Sequence, residues 1–181
     1  MPIFLFAGNV GKVQNLENVI RGFAAARRDP LFKGILRIVG EGSARSMLMK
    51  LADDLCVEAE FPGRKHSSVM SEEYARASFL ILSLDDKPVF RLTVPSKFQM
   101  YLSVGKPILC AAEGEVRDLV CDLKLGVDAD ANSADSIAAA FIKLSRAPLS
   151  ETLEWGRNAV AAFEGTFNRA QIINTILATI A

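Results

Sequence analysis

The sequence lacks net charge: 21 Lys and Arg stand against 21 Asp and Glu in 181 residues. No basic block is present to draw the chain onto nucleic acid or an anionic membrane, because both kinds of binding depend on clustered positive charge. Any phosphate binding must therefore be local. The chain also lacks an apolar run of the roughly 18 residues that a spanning helix needs, and Met1 to Gly8 has neither the basic start nor the cleavage site of a signal peptide. The expectation is a soluble, cytoplasmic chain. Cysteine occurs three times, at Cys56, Cys110 and Cys121, with no CxxC. An odd, scattered set excludes a disulfide framework and a zinc site, and buried thiols are expected. Histidine occurs once, at His66. Without a G-x-S-x-G elbow it makes a poor base for a Ser-His-Asp triad, and it reads as a loop residue. Neither G-x-G-x-x-G nor a Walker loop is present. No repeat, low-complexity stretch or Gly/Ser/Pro-rich linker divides the chain, so residues 1–181 read as one domain.

Half the residues are hydrophobic, and they fall into short apolar runs alternating with stretches of helical period. That alternation is the mark of a parallel sheet with helices on both faces. Six strands are expected: Ile3 to Ala7, Ile35 to Val39, Val57 to Phe61, Phe79 to Leu84, Ile108 to Cys110, and Leu125 to Val127. The first expected helix runs from about Asn15 to Arg27, with Leu16, Val19, Ile20 and Phe23 on one face. Ser43 reads as the N-cap of the second, Ser71-Glu72-Glu73-Tyr74 as the capped start of the third, and Pro95 as the first helical residue of the next, with Phe98, Tyr101 and Leu102 on its apolar face. Glu113-Gly114-Glu115 opens another. Ser133 to Leu144, Leu149 to Phe163 and Asn168 to Ile180 follow without intervening strands, with breaks at Pro148 and Gly165. Trp155 sits at helical spacing and reads as packing. The fold class is α/β, a Rossmann-like doubly wound sheet with extra C-terminal helices.

In such a sheet, ligands bind at the carboxyl ends of the strands, where turns meet helix N-termini with unpaired N–H groups. The turns expected there are Gly8 to Lys12, Gly40 to Gly42, Gly63 to His66, Thr93 to Lys97, and Glu113 to Glu115. Gly8 and Gly11 let the backbone approach an anion, although a tight strand-to-helix turn needs glycine too. Lys12 supplies a cation. Ser96 offers a hydroxyl at a helix start, and Lys97 adds positive charge in the first turn, where it opposes the helix dipole by about 0.3–1 kcal/mol. A nearby anion would account for it. Asp85-Asp86 could form a carboxylate pair for a metal, but beside Lys87-Pro88 it reads as a solvated turn.

Several phrases in this order resemble the C-terminal domain of the GT-B-fold, family 4 retaining glycosyltransferases, in the bacterial polysaccharide and lipopolysaccharide branch. They are Phe4-Leu5-Phe6-Ala7-Gly8-Asn9-Val10-Gly11-Lys12, Leu36-Arg37-Ile38-Val39-Gly40-Glu41-Gly42, Glu73-Tyr74-Ala75-Arg76-Ala77-Ser78, Val94-Pro95-Ser96-Lys97-Phe98, and Tyr101-Leu102-Ser103-Val104-Gly105-Lys106-Pro107 followed by Gly114-Glu115. The resemblance covers nearly the whole chain. It implies a domain that binds a nucleotide diphosphate sugar as donor substrate, without metal or other cofactor. It also implies an N-terminal acceptor domain, absent here or supplied by a partner chain, and a last helix from Asn168 to Ala181 that crosses to that domain. The full enzyme would be cytoplasmic, peripheral at the inner membrane, and this half alone inactive.

Matched residue by residue, the resemblance gives Gly8, Asn9, Val10, Gly11 and Lys12 to the donor diphosphate and transferred sugar. It gives Thr93, Pro95, Ser96 and Lys97 to the diphosphate, and Gly63, Arg64 and Lys65 to the nucleoside. Two departures stand out. The family carries an arginine after the first-strand glycine and a lysine five residues later, where this chain has Asn9 and Gln14, so Lys12 and Lys97 are left as the phosphate cations. The family's Glu-x7-Glu pair, which holds the ribose, falls on Leu92 and Met100, so ribose recognition passes to backbone groups or to a neighbour such as Gln99. The missing carboxylates also admit a non-catalytic nucleotide-sugar-binding subunit or regulatory module. An ordinary dinucleotide dehydrogenase is less favoured, since its glycine fingerprint and ribose acid are missing.

Overall fold

Strand residues alternate between two cores, which accounts for the unbroken apolar runs. In β1 (Ile3–Ala7), Phe4 and Phe6 point to one face of the sheet and Leu5 and Ala7 to the other. The same alternation holds in β2 (Ile35–Val39), β4 (Phe79–Ser83) and β5 (Ile108–Ala111). The computed structural model describes residues 1–167. The expected helix from Asn168 lies outside them. Six parallel strands, completed by β3 (Ala59–Gly63) and β6 (Gly126–Asp128), stand in the order β3-β2-β1-β4-β5-β6. The chain starts in the middle and winds outward twice, so the switch point lies between β1 and β4.

One face is covered by α1 (Leu16–Ala26), α2 (Arg45–Asp54) and α7 (Ala134–Arg146). Phe4 lies at its centre, with ring centroids 4.8 Å from Phe79 and 4.9 Å from Phe141, and Trp155 is buried at the edge of this core. Such aromatic contacts add about 0.5–1.5 kcal/mol each beyond the area they bury. The other face packs on α3 (Ser67–Arg76), α5 (Ser96–Val104), α6 (Glu115–Asp122) and α8 (Leu149–Ala162). A single short turn of helix, α4 (Pro88–Arg91), sits in the connection after β4.

Several boundaries differ from the sequence reading, each for a local reason. Ser43 does not cap α2, which starts at Arg45 with Ala44 before it and no side-chain cap. β3 begins and ends later than expected and takes in Pro62 and Gly63, which proline allows because β3 is an edge strand. The third helix starts at Ser67, not Ser71. His66, read as a loop residue, is its N-cap, its Nδ1 accepting from the Ser68 N–H at 3.3 Å. Pro95 is the N-cap of α5 and Ser96 its first residue. The chain does not break at Gly165: α8 passes into a wider π turn, Phe163–Phe167. The three thiols are not all buried, since only Cys110 is, while Cys56 and Cys121 are exposed. Cys56 follows the last turn of α2 in a left-handed conformation (φ 52°), which turns it out of the core despite its apolar neighbours in sequence.

Candidate functional site

At the carboxyl edge of the sheet, the turns after β1, β2 and β3 are laced together by backbone hydrogen bonds. Gly8 N–H donates to Val39 O at 3.0 Å, Val10 N–H to Glu41 O at 2.8 Å, Ala44 N–H to Val10 O at 3.0 Å, and Gly40 N–H to Gly63 O at 3.0 Å. This lacing demands glycine at Gly40 (φ +147°), where a Cβ would fall 1.8 Å from Gly8 O. At Gly42 a Cβ would fall 2.3 Å from Val10 O. These two glycines therefore serve close backbone contact. Gly8 is different, because a Cβ there would meet the tip of Lys97, with Nζ at 3.6 Å.

Lys97 leaves the first turn of α5 and reaches back across the switch point to β1. Its Nζ lies 4.0 Å from the centroid of the Phe6 ring and donates to Gln14 Oε1. Gln14 is buried in the 3₁₀ turn Lys12–Gln14, which is anchored to the end of β4 by a hydrogen bond from Ser83 Oγ to Gln14 O. Among the described residues, no carboxylate pairs with Lys97. Burial alone pushes its ammonium down to about 7. The amides of Ser96 and Lys97 lie in the first helical turn, where N–H groups lack intrahelical acceptors, while Phe98 N–H donates to Pro95 O at 2.8 Å.

Beside this pair opens a crevice of about 430 Å³, lined by Gly8, Asn9, Gly40, Glu41, Arg64, Lys65, Met70 and Tyr74. The structure thus brings Gly8, Asn9, Arg64, Lys65 and, through Gly8, Lys97 to one edge, while Gly63 does not line the crevice and is tied to Gly40 by its carbonyl. Val10 is fully buried in the core, and its N–H and carbonyl are both taken up by the lacing to Glu41 and Ala44, so it is not brought to the site. Gly11 and Lys12 face a different hollow of about 320 Å³, beside Glu17 and Met47. Thr93 is exposed, its Oγ1 donating to Val89 O at 2.7 Å, and Gln99 is exposed on α5. Leu92 is 87% exposed and Met100 50% exposed. Met100 lines an apolar groove of about 540 Å³ with Val104 and Lys106, which shares Met70 and Tyr74 with the crevice. Reading the sequence for site residues left out Gln14, Met70 and Tyr74, and took in Glu41 only as part of the turn Gly40 to Gly42. The signal for Gln14 was an amide where the resembling family carries a lysine.

The crevice wall formed by α3 is fixed by a buried ion pair. Arg37 on β2 donates from Nε to Glu73 Oε2 at 2.7 Å and from Nη2 to Glu73 Oε1 at 2.9 Å, and also to Glu60. The Arg37 guanidinium holds the Glu73 carboxyl below its ordinary value. Asp85 and Asp86 do not converge: Asp85 pairs with Lys87 at 2.9 Å, and Asp86 is held by Arg91 and by Asn132 Nδ2 at 3.0 Å. Among the described residues, no three His, Cys, Asp or Glu side chains could hold a metal ion, and no helix is long and apolar enough to cross a membrane.

A doubly wound parallel sheet, with a crevice over the turns after β1, β2 and β3 and an enclosed lysine beside the switch point, is the Rossmann-like arrangement of a nucleotide-binding domain. The chain belongs to the glycosyl transferases group 1 family, whose profile matches residues 1–161. It is 24% identical over 151 residues to the probable glycosyltransferase WbjE of Pseudomonas aeruginosa, covering 82% of this chain and 37% of the relative. It is 29% identical over 113 residues to the putative colanic acid biosynthesis glycosyl transferase WcaI of Escherichia coli K12, covering 61% of this chain and 26% of the relative. The chain thus spans about a third of the length of the curated relatives it matches. Among solved structures, HepE of Anabaena in complex with UDP and glucose superposes with a TM-score of 0.79 at 16% identity, over 98% of this chain and 47% of that one. WaaG, a glycosyltransferase involved in lipopolysaccharide biosynthesis, gives 0.72 at 17% identity, over 92% and 43%.

Proposed function

We propose that this chain is the donor-binding part of a glycosyltransferase that moves a sugar from a nucleotide diphosphate sugar to a glycan or lipid-linked acceptor in surface polysaccharide or lipopolysaccharide assembly. The observation that carries the reading is the Lys97 amine, enclosed beside Gly8 at the switch point with no carboxylate partner. A diphosphate lying over Gly8 would receive that cation and the Ser96 and Lys97 amides together. In the transfer step, negative charge builds on the departing diphosphate, and fixed donors already aimed at it lower the barrier without reorganising. The nucleoside would extend into the crevice between Arg64, Lys65 and Tyr74. A relative named for colanic acid biosynthesis, and a neighbour solved in complex with UDP and glucose, support this donor class. An acceptor domain, in the same polypeptide or a partner chain, closes the cleft, and the whole enzyme works in the cytoplasm at the inner membrane.

The exposed Leu92 and Met100, where ribose-holding carboxylates are expected, favour a second reading as a nucleotide-sugar-binding subunit without turnover of its own. Calorimetric titration with UDP, GDP, ADP and NAD tests the donor assignment. Binding of one nucleoside diphosphate, weakened at least tenfold by Lys97→Ala, is expected. Preference for NAD, or affinity indifferent to Lys97→Ala, would sink it. Release of free nucleoside diphosphate from the donor by the chain together with its acceptor domain separates the enzyme from the subunit.

A further inference from the structure

The Lys97 amine has two partners, and neither is negative: the carbonyl end of an amide and the face of an aromatic ring. Both favour a donor or a cation without neutralising it. Among the described residues, the segments packed around it offer no counter-ion, and Glu164 of the π turn that packs on α5 lines a groove at the far end of that helix, beside Lys106. β1 and β4 carry no charged residue, and α5 carries none but Lys97 itself. The turn after β1 has only Lys12, which is exposed, and the connection after β4 has Asp85 and Asp86, each held by a cation of its own. Gln14, in contrast, is fixed on both sides: its N–H donates to Gly11 O at 3.1 Å, and its carbonyl accepts from Ser83 Oγ. Its side chain is thus a rigid acceptor aimed at the amine.

Resting on the reading of this edge as a diphosphate site, we propose that Gln14 is a positioning residue that holds the Lys97 amine beside Gly8, and that the amine takes up a proton from solvent when the diphosphate binds. In the empty site an amine N–H rests on Gln14 Oε1. When the diphosphate arrives, the nitrogen lone pair takes one proton from water or buffer, and the new ammonium pairs with a phosphate oxygen. No other covalent bond changes. The burial that holds the free amine near 7 makes this uptake visible just above neutrality. An amide at position 14 is essential to the device, because a carboxylate there would give the ammonium a permanent partner and fill the site before the ligand came.

The test is calorimetry of the 181-residue chain with UDP and GDP between pH 7.5 and 8.5, in buffers of differing ionisation enthalpy. The terminal phosphate of either nucleotide is ionised throughout that range, since its last proton leaves near pH 6. About 0.9 proton should enter per nucleotide bound at pH 8, and affinity should fall about eightfold from pH 7.5 to 8.5. Gln14→Glu should weaken binding and flatten the pH profile. Lys97→Arg, whose guanidinium is always charged, should bind with no proton uptake and no slope. Wild-type binding that is proton-silent, or Gln14→Glu binding as tight and as pH-dependent as wild type, overturns the proposal and leaves the diphosphate reading standing. Absence of binding to either nucleotide across the range overturns both.

Discussion

The hydroxyl of Tyr101 accepts a hydrogen bond from the backbone N–H of Ala7 at 3.1 Å and donates to the carbonyl of Ile81 at the same distance. The β1–β4 register runs only through Phe4↔Phe79 and Leu5↔Leu80. Beyond it the two strands part, and a phenol from α5 takes the place of the missing ladder bonds. The parting is what opens the switch point. Burial raises the Tyr101 hydroxyl well above its ordinary value, so it stays a neutral donor at any pH the fold survives.

Tyr101→Phe removes this bridge and leaves two buried backbone groups unpaired. The expected loss is ~2 kcal/mol, read as a fall in Tm of about 4–8 °C for a domain of this size. A change within 1 °C would show that water replaces the hydroxyl.

Glu73→Gln removes the two-pronged pair and leaves the largely buried Arg37 guanidinium with the partly exposed Glu60 as its carboxylate partner, at a cost of ~2 kcal/mol near neutral pH. Glu73 has a lowered pKa in the fold, so its contribution is fully present above the ordinary value of 4.5 and disappears as pH falls through the lowered one. Chemical denaturation should therefore show the gap between wild type and variant constant from pH 8 to 5, then closing below pH 4.5. A gap that widens with acid would contradict the pairing.

Lys97 has a linkage of the same sign in a higher pH window, but from the opposite cause: Glu73 is favoured in its charged form by a partner, whereas burial disfavours the charged form of Lys97. Its ammonium is disfavoured in the fold, so the unfolded chain binds the extra proton between about 7 and the ordinary 10.5, and stability should rise with pH in that window. Lys97→Met should remove that slope. Its stability relative to wild type is therefore greatest at pH 7 and falls towards pH 10, measurable by urea unfolding at three pH values.

Thiol labelling should divide the cysteines by place in the fold. Cys56 and Cys121 are exposed and should react in the native state, while Cys110, enclosed in β5 with its thiol pushed up by burial, should react only on unfolding. Native-state labelling of Cys110 at the rate of the other two would show the β5 core opening.

Gly40→Ala should cost at least ~2 kcal/mol, because a methyl group would fall inside contact distance of Gly8 O and a positive φ would be imposed on alanine. It should also weaken nucleotide binding, since Gly8 must move aside. Normal stability with normal binding would refute the close contact.

The parallel sheet was legible because strands buried on both faces, such as Phe79–Ser83, read as unbroken apolar runs whatever they pack against. Lys97 was legible for a local reason, since a cation in the first turn of a helix is out of place without an anion. Its partner was not. Gln14 lies 83 positions away, and nothing in the residues near it marks an acceptor aimed across the switch point. The start of α3 was misjudged because histidine does the capping that Ser71 seemed suited to, and the extent of β3 because Pro62-Gly63 signals a turn everywhere except at a sheet edge. Tyr101 was read as one more apolar position. Its hydroxyl gains meaning only from two strands that diverge beneath it.

The lacing of the first three turns has a bearing on how relatives of this chain could differ. At Gly40 and Gly42 there is no room even for a methyl group, so an insertion or a bulkier residue there would unpick the crevice floor. The segment from Arg64 to His66 and the connection from Asp85 to Pro95 carry no such constraint at their exposed side chains. On the donor reading proposed above, variation in what the edge accepts falls in those two stretches, over a floor whose backbone contacts leave no latitude.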